Sequence, residues 1–294
     1  MAAGSRSLPG ISCIVSAVII GILLIAVLAV MGTGHPGTAG QTMEARCAGQ
    51  EPAGAQQPVP VSLPPACPAG TAAPAIGPAI PDSVAAADLV LEKPPAEDLV
   101  PYTARNFSPA SEAAVAWWMS PAFMDNTSEF RTYERSDGNK RLTYPEEHRI
   151  FFSFIEDGLD QAELASVLKD RVVLFRGIGP SLAASVLNST QYREPAFAST
   201  SYDITLSLGG FSPRSADGYR NILVLERDAG EHAVYINEDE REFLLPRGTR
   251  WHVVKTVNVE NLTVRAGFPL WSRTTGTGSF DHVRLISIAE DTCA

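Results

Sequence analysis

The sequence predicts an α+β fold behind a membrane anchor and a linker. Three observations carry that reading. Helix-patterned segments fill Ser111 to Lys169, short β-type runs follow from Val172, and one unbroken apolar run sits near the start. Helices first and strands afterwards indicate segregated layers, not the alternation that builds a parallel α/β sheet.

The apolar run, Ile11 to Met31, contains no charged residue. About 20 apolar residues span a hydrocarbon core of roughly 30 Å, and a cleavable signal has a shorter apolar region. A retained transmembrane helix is therefore expected, with secretion after cleavage as the alternative. Arg6 precedes the run, and no Lys or Arg follows until Arg46. The positive-inside rule then leaves residues 1–10 in the cytoplasm and the C-terminal domain outside. Residues 32–98 are rich in Pro, Ala and Gly and nearly free of aromatics. Such a segment buries little apolar surface and reads as a semi-extended linker.

The chain has 294 residues and a formal charge of −10. Nucleic acid is excluded as a main partner, because phosphate backbones are met by concentrated Lys and Arg. The four cysteines, Cys13, Cys47, Cys67 and Cys293, form no CxxC or Cys/His cluster, and the five histidines show no metal spacing, so no metal is expected. Cys47 and Cys67 flank the Pro/Ala-rich stretch and could pair in an oxidising compartment, with unpaired thiols the equal alternative.

The folded domain is expected over residues 99–294. Ser111 to Met119 reads as a helix with Ser108 or Ser111 as N-cap. Phe123 to Tyr133 reads as a second short helix. Pro145 to Asp157 starts with Pro and carries an apolar face at Ile150, Phe151, Phe154 and Ile155; Ala162 to Lys169 is a further short helix. Trp117 and Trp118 read as core. The runs VVLF, AFAST, ILVLE, HAVYI, EFLLP, WHVVKTVNV, LTVRAG and HVRLISI are strands separated by Gly, Pro, Asn and Asp.

Three polar features stand out in these strands. Arg176 closes the apolar run Val172–Phe175 and is followed by Gly177. A charge leaving a buried run needs an anionic partner or solvent, and glycine admits close approach of a ligand to the backbone. Taken alone, Arg176 is first a structural salt-bridge arginine. Ser199-Thr200-Ser201 ends a second run, where hydroxyls can orient a polar group. In Glu240-Arg241-Glu242-Phe243-Leu244-Leu245-Pro246, strand alternation puts Glu240 and Glu242 on one face and Phe243 and Leu245 on the other. Two carboxylates sharing a face separate in pKa and can divide labour. A solvated acidic turn is the competing reading, since Glu238 and Asp239 precede them.

Arginine, then serine, then Glu-x-Glu, each on its own strand, resembles the R-S-E class of mono-ADP-ribosyltransferases, over about Tyr102 to the C-terminus. A fourth piece, Phe211-Ser212-Pro213-Arg214, resembles the aromatic and arginine that follow the serine motif in binary-toxin-type members. The resemblance implies N-terminal helices packed on a mixed two-sheet β core, with NAD as co-substrate. It implies that Arg176 holds the NAD pyrophosphate, that Ser199 orients the catalytic Glu242, and that Phe211 stacks on nicotinamide. Arg214 would add a phosphate contact, and Glu240 would orient an acceptor arginine. Asn126 and Arg131 loosely match a helix that covers NAD, although Phe123 stands where a tyrosine is expected. The loop before the glutamates is short and acidic, Asn237 to Asp239, with Tyr235 the nearest aromatic. The expected activity is arginine-specific mono-ADP-ribosylation of an unknown protein. NAD glycohydrolase activity and a catalytically silent module on a membrane stalk are the alternatives.

Overall fold

The computed structural model describes residues 82–271 and 275–291. The apolar run 11–31, most of the Pro/Ala-rich stretch and all four cysteines lie outside the described residues. Within the described residues, no helix is long and apolar enough to cross a membrane.

The first described element, β1 (Asp82–Leu91), lies in what composition assigns to the linker. It pairs in parallel with β8 (Arg250–Ala266), from Asp82 opposite Val257 to Leu91 opposite Ala266. Leu91 is buried, and Ala87 and Leu89 pack on the same core. Partner strands supply the burial that this Ala/Val-rich segment lacks alone.

Helices α1 (Pro109–Trp118) and α2 (Pro121–Glu134) each begin with Pro at a first-turn position after a serine cap. Ser108 accepts from Ser111 N–H at 3.2 Å, and Ser120 from Phe123 N–H at 3.3 Å. Both pair a satisfied first-turn donor with a ring that needs none. A single turn, α3 (Gly138–Arg141), leads to α4 (Glu146–Leu164). The two separate helices expected around Asp157 are one as far as Leu164, because Gly158 does not break it; the expected stretch to Lys169 leaves the helix, and Val167 bridges His232 instead. A Cβ there would stand 2.6 Å from Ala114 Cβ and 2.7 Å from Ala110 O, so glycine is what lets α4 cross α1 closely. The buried stripe is Phe152, Ile155, Leu159 and Ala162, while Ile150, expected in the apolar face, is exposed.

The remaining elements are β2 (Val172–Ile178), α5 (Pro180–Asn188), β3 (Tyr192–Arg193), β4 (Ala198–Ser201), α6 (Ile204–Gly210), β5 (Arg220–Arg227), β6 (Val234–Asn237), β7 (Glu242–Leu245), β8 and β9 (Thr277–Glu290). WHVVKTVNV and LTVRAG, read as two strands, form the single β8. The polar pair between them faces out and is used there: Asn261 donates to Ala85 O, and His282 lies 3.2 Å from Glu260.

Among the described residues, nine strands hydrogen-bond into one mixed sheet, in the order β1-β8-β9-β5-β2-β4-β7-β6, with β3 paired to β8 off this path. The two-sheet expectation is corrected in this respect, and the correction hangs on one bridge. Strands β2 and β4 share a single residue pair, Phe175 opposite Ser201, whereas β2 pairs with β5 over seven. The ladder stops there, so the Arg176–Ile178 end of β2 diverges from the start of β4. Helices α1, α2 and α4 pack on Phe197, Val234, Ile236 and Leu244, on one face of the β4-β7-β6 part. Phe243, Leu245 and Ala198 join a second core with Leu174 and Ile178. The expected alternation of β7 is therefore observed, and it turns Glu242 towards the helices.

Candidate active site

Glu242 opens β7 and is 4% exposed. Its register partner in β4 is Ser201, so Ser199, two residues along, lies on the same face. The Ser199 side chain stands close enough to the Glu242 carboxyl to favour its charged form. A hydrogen-bond donor comes from the helices: Trp118 Nε1–H donates to Glu242 Oε1 at 3.1 Å. Burial pushes the Glu242 carboxyl above its ordinary range. Ser199 and Trp118 pull it back, Glu240 adds a smaller upward push by like charge, and Arg131 a downward one.

Arg131, on α2, stands near this carboxylate. Its guanidinium stands over the Trp118 ring, 4.4 Å from the centroid, and Nη1 donates to Phe197 O and to Glu134 Oε2. Asn126 does not join it. The Asn126 amide donates to Ala122 O of its own helix, on an exposed face.

Arg176 lies on β2 with Leu174 and Ile178 as its same-face neighbours. Its Nη1 stands 3.0 Å from Glu194 Oε2. Glu194 is wholly buried and also accepts from Arg135 Nη2, Tyr192 Oη and Ala196 N–H. Glu134 accepts from Phe197 N–H and Arg131, and burial pushes its carboxyl up to about 7 despite Arg131. Three arginines and two buried carboxylates thus tie α2 to the strands that carry Arg176 and Ser199.

Gly177 does not serve close approach of a ligand, as expected from sequence. A Cβ there would meet Ser207 O at 2.6 Å and Phe211 C at 2.8 Å. The glycine lets the end of α6 lie on β2, with the Phe211 backbone against Gly177. Phe211 is 54% exposed. Arg214 is at the surface, with two 2.9 Å hydrogen bonds to Asp281 and one of 2.7 Å to Gly218 O.

Glu240 is not on a strand. It is exposed in the turn Glu238–Arg241 that joins β6 to β7, and Arg241 has φ +51°. Simple alternation therefore fails between the two glutamates. The unusual backbone at Arg241 is held by its side chain: Nη1 pairs with buried Asp203 Oδ2 at 2.5 Å, and the guanidinium stands 5.1 Å from the Phe268 ring. The same Asp203 oxygen accepts from Trp271 N–H at 2.7 Å, while the other accepts from Thr205 N–H and caps α6. Tyr235, the aromatic nearest the turn, is buried and donates to Glu238.

Sequence reasoning missed Trp118, Glu134, Arg135, Glu194 and Asp203. Glu194 and Asp203 flank the serine motif, and a carboxylate bounding a buried strand is a signal for an internal cation. Trp118 gave no signal, since a helix tryptophan beside another reads as packing.

No protein-family model and no curated protein matches the chain. Among solved structures it is similar to Plx2a, an ADP-ribosyltransferase toxin from Paenibacillus larvae. The identity there is 16%, the TM-score 0.43, and the coverage 63% of this chain and 88% of that one. It is similar to the enzymatic component C2-I of the C2-toxin from Clostridium botulinum at 13% identity and TM-score 0.44, covering 67% of this chain and 47% of that one, so it spans about half of C2-I. It is also similar to C3stau2 from S. aureus, solved with NAD, at 19% identity and TM-score 0.39, covering 64% of this chain and 89% of that one. The chemistry rests on the side chains.

Proposed function

We propose that this chain transfers ADP-ribose from NAD to an arginine of a protein acceptor and releases nicotinamide. The observation that carries the reading is the buried Glu242 carboxyl with Ser199 on the same face of the neighbouring strand, in motifs whose order resembles the R-S-E transferases. The residues fit an anionic dinucleotide. Arg176 is paired through Nη1 with Glu194, and its side chain is 12% exposed. Its fork is suited to a pyrophosphate oxygen.

In the proposed reaction Glu242 accepts a hydrogen bond from the 2′-hydroxyl of the nicotinamide ribose. It stabilises the positive charge that develops as the C1–nicotinamide bond breaks and the bonding pair leaves with nicotinamide. A guanidine nitrogen of the acceptor then bonds to C1, and Glu240 takes the proton it sheds. Phe211 stacks on nicotinamide. Arg214 exchanges its exposed pair with Asp281, worth about 0–1 kcal/mol, for a phosphate oxygen.

Water as the acceptor, an NAD glycohydrolase, is the second reading. It is favoured by the short turn before Glu242 and by burial of Tyr235, which leaves that turn without an exposed aromatic for a protein target. Incubation with etheno-NAD and an arginine-rich protein separates the readings. Label on arginine supports transfer, nicotinamide release without label supports hydrolysis, and no turnover by folded protein removes both.

The proposal includes a place: residues 11–31 anchor the chain and hold the domain outside the membrane. The support is the uncharged apolar run and the position of Arg6. Protease added to intact cells is expected to digest the domain; full protection there, with digestion after lysis, would put it on the inner side.

A further inference from the structure

The geometry points to Trp118 as a positioning residue for Glu242, a third member of the Ser199–Glu242 pair supplied by the helical layer. The inference rests on the proposed NAD chemistry and deepens it. A carboxylate offers about four lone-pair sites, and the indole N–H takes one of them on Oε1 at 3.1 Å. An indole is a donor only and cannot release its proton at working pH, so it holds a carboxylate in its ionised form without competing as a base.

The donor is itself fixed. Trp118 is buried, and its ring stacks on Phe123 with centroids 4.5 Å apart and planes 21° apart. The Arg131 guanidinium covers it at 4.4 Å from the ring centroid. Arg131 in turn donates to Phe197 O, two residues before Ser199. The clamp thus joins the last turn of α1, the last turn of α2 and the strand bearing Ser199 around one carboxylate. A catalytic carboxylate on a short strand beside a turn is otherwise free to rotate about its side-chain torsions; the indole N–H from the helical layer fixes one orientation before substrate arrives. The other groups facing this carboxylate are Glu240, from the turn, and Arg131, from α2.

The test is Trp118→Phe in the full chain, which keeps a ring for Phe123 and Arg131 and removes the donor. The expected result is a kcat for NAD cleavage lower by about ten- to a hundredfold, with KM for NAD little changed. The acid limb of the kcat–pH profile is expected to move to higher pH, because the lost donor favoured the ionised carboxyl. The midpoint of the Glu242 carboxyl, followed by carbon-13 NMR and assigned with Glu242→Gln, is expected to rise in parallel. Phe123→Leu keeps the indole N–H and loosens the packing; it is expected to lower stability without moving the limb. If Trp118→Phe does not fold, 3-benzothienylalanine at position 118, which keeps the bicyclic shape and lacks the N–H, replaces it. An unchanged Glu242 midpoint overturns the inference. So does an increased kcat, which would make the contact an obstruction. Wild-type protein that leaves NAD intact would remove the proposed function, and the NMR midpoint would still decide the role of Trp118.

Discussion

The Arg176 guanidinium stands 3.0 Å from the Glu194 carboxylate, and that carboxylate is wholly buried. The arginine first read as either a structural ion or a phosphate ligand is thus paired inside the protein through Nη1. Glu194→Ala is expected to cost on the order of 3–5 kcal/mol, because Arg135 and Arg176 would be left without their buried counter-ion. Chemical denaturation measures this, and a loss below about 1 kcal/mol would show that the pair behaves like a surface one. Arg176→Lys keeps the charge but not the fork, and is expected to raise KM for NAD about tenfold.

Glu242→Gln is expected to lower NAD cleavage and transfer together by at least about 10²–10³-fold. The amide is nearly isosteric, so the fold should persist, and circular dichroism checks that. A folded variant with near-normal nicotinamide release would sink the assignment of this carboxylate.

Glu240→Gln is expected to separate the two reactions. The side chain is exposed in the turn and carries no fold contact from its carboxyl among the described hydrogen bonds; only its backbone is used, the N–H donating to Asn237 and the carbonyl accepting from the Ser201 hydroxyl. Arginine labelling should fall by about 10²-fold or more while nicotinamide release survives. Equal loss of both activities would contradict the division of labour.

Stability should carry the signature of Glu134. Burial holds its carboxyl at about 7 in the folded protein, against 4.5 for the ordinary group. Between those values the folded protein keeps a proton that the unfolded chain has released, so this group's contribution is greatest below about pH 4.5. It falls as pH rises to about 7 and then levels off. Glu134→Gln is expected to remove that part of the pH dependence, worth a few kcal/mol at roughly 1.4 kcal/mol per unit. Parallel melting-temperature curves for wild type and variant between those limits would count against it.

The sequence by itself determined the order of layers, the serine caps and the Arg-Ser-Glu series. Each is written locally: a cap needs its serine one turn away, a strand its period of two, and a motif its neighbours. It also fixed the two faces of β7, since alternation turns Glu242 and Leu244 one way and Phe243 and Leu245 the other. Where one backbone angle departs from the period, at Arg241, sequence reasoning put Glu240 on a strand it does not join. Long-range pairing lay beyond it for the same physical reason. β1 exists because β8 lies beside it, Gly177 is occupied by the end of α6, and the single Phe175–Ser201 bridge makes one sheet of two. The clamp on Glu242 joins Trp118 to a strand 124 residues further along, and nothing local to either residue announces the other. Only the packing of α1 over β7 decided that a tryptophan of the core is also the partner of the candidate catalytic carboxylate.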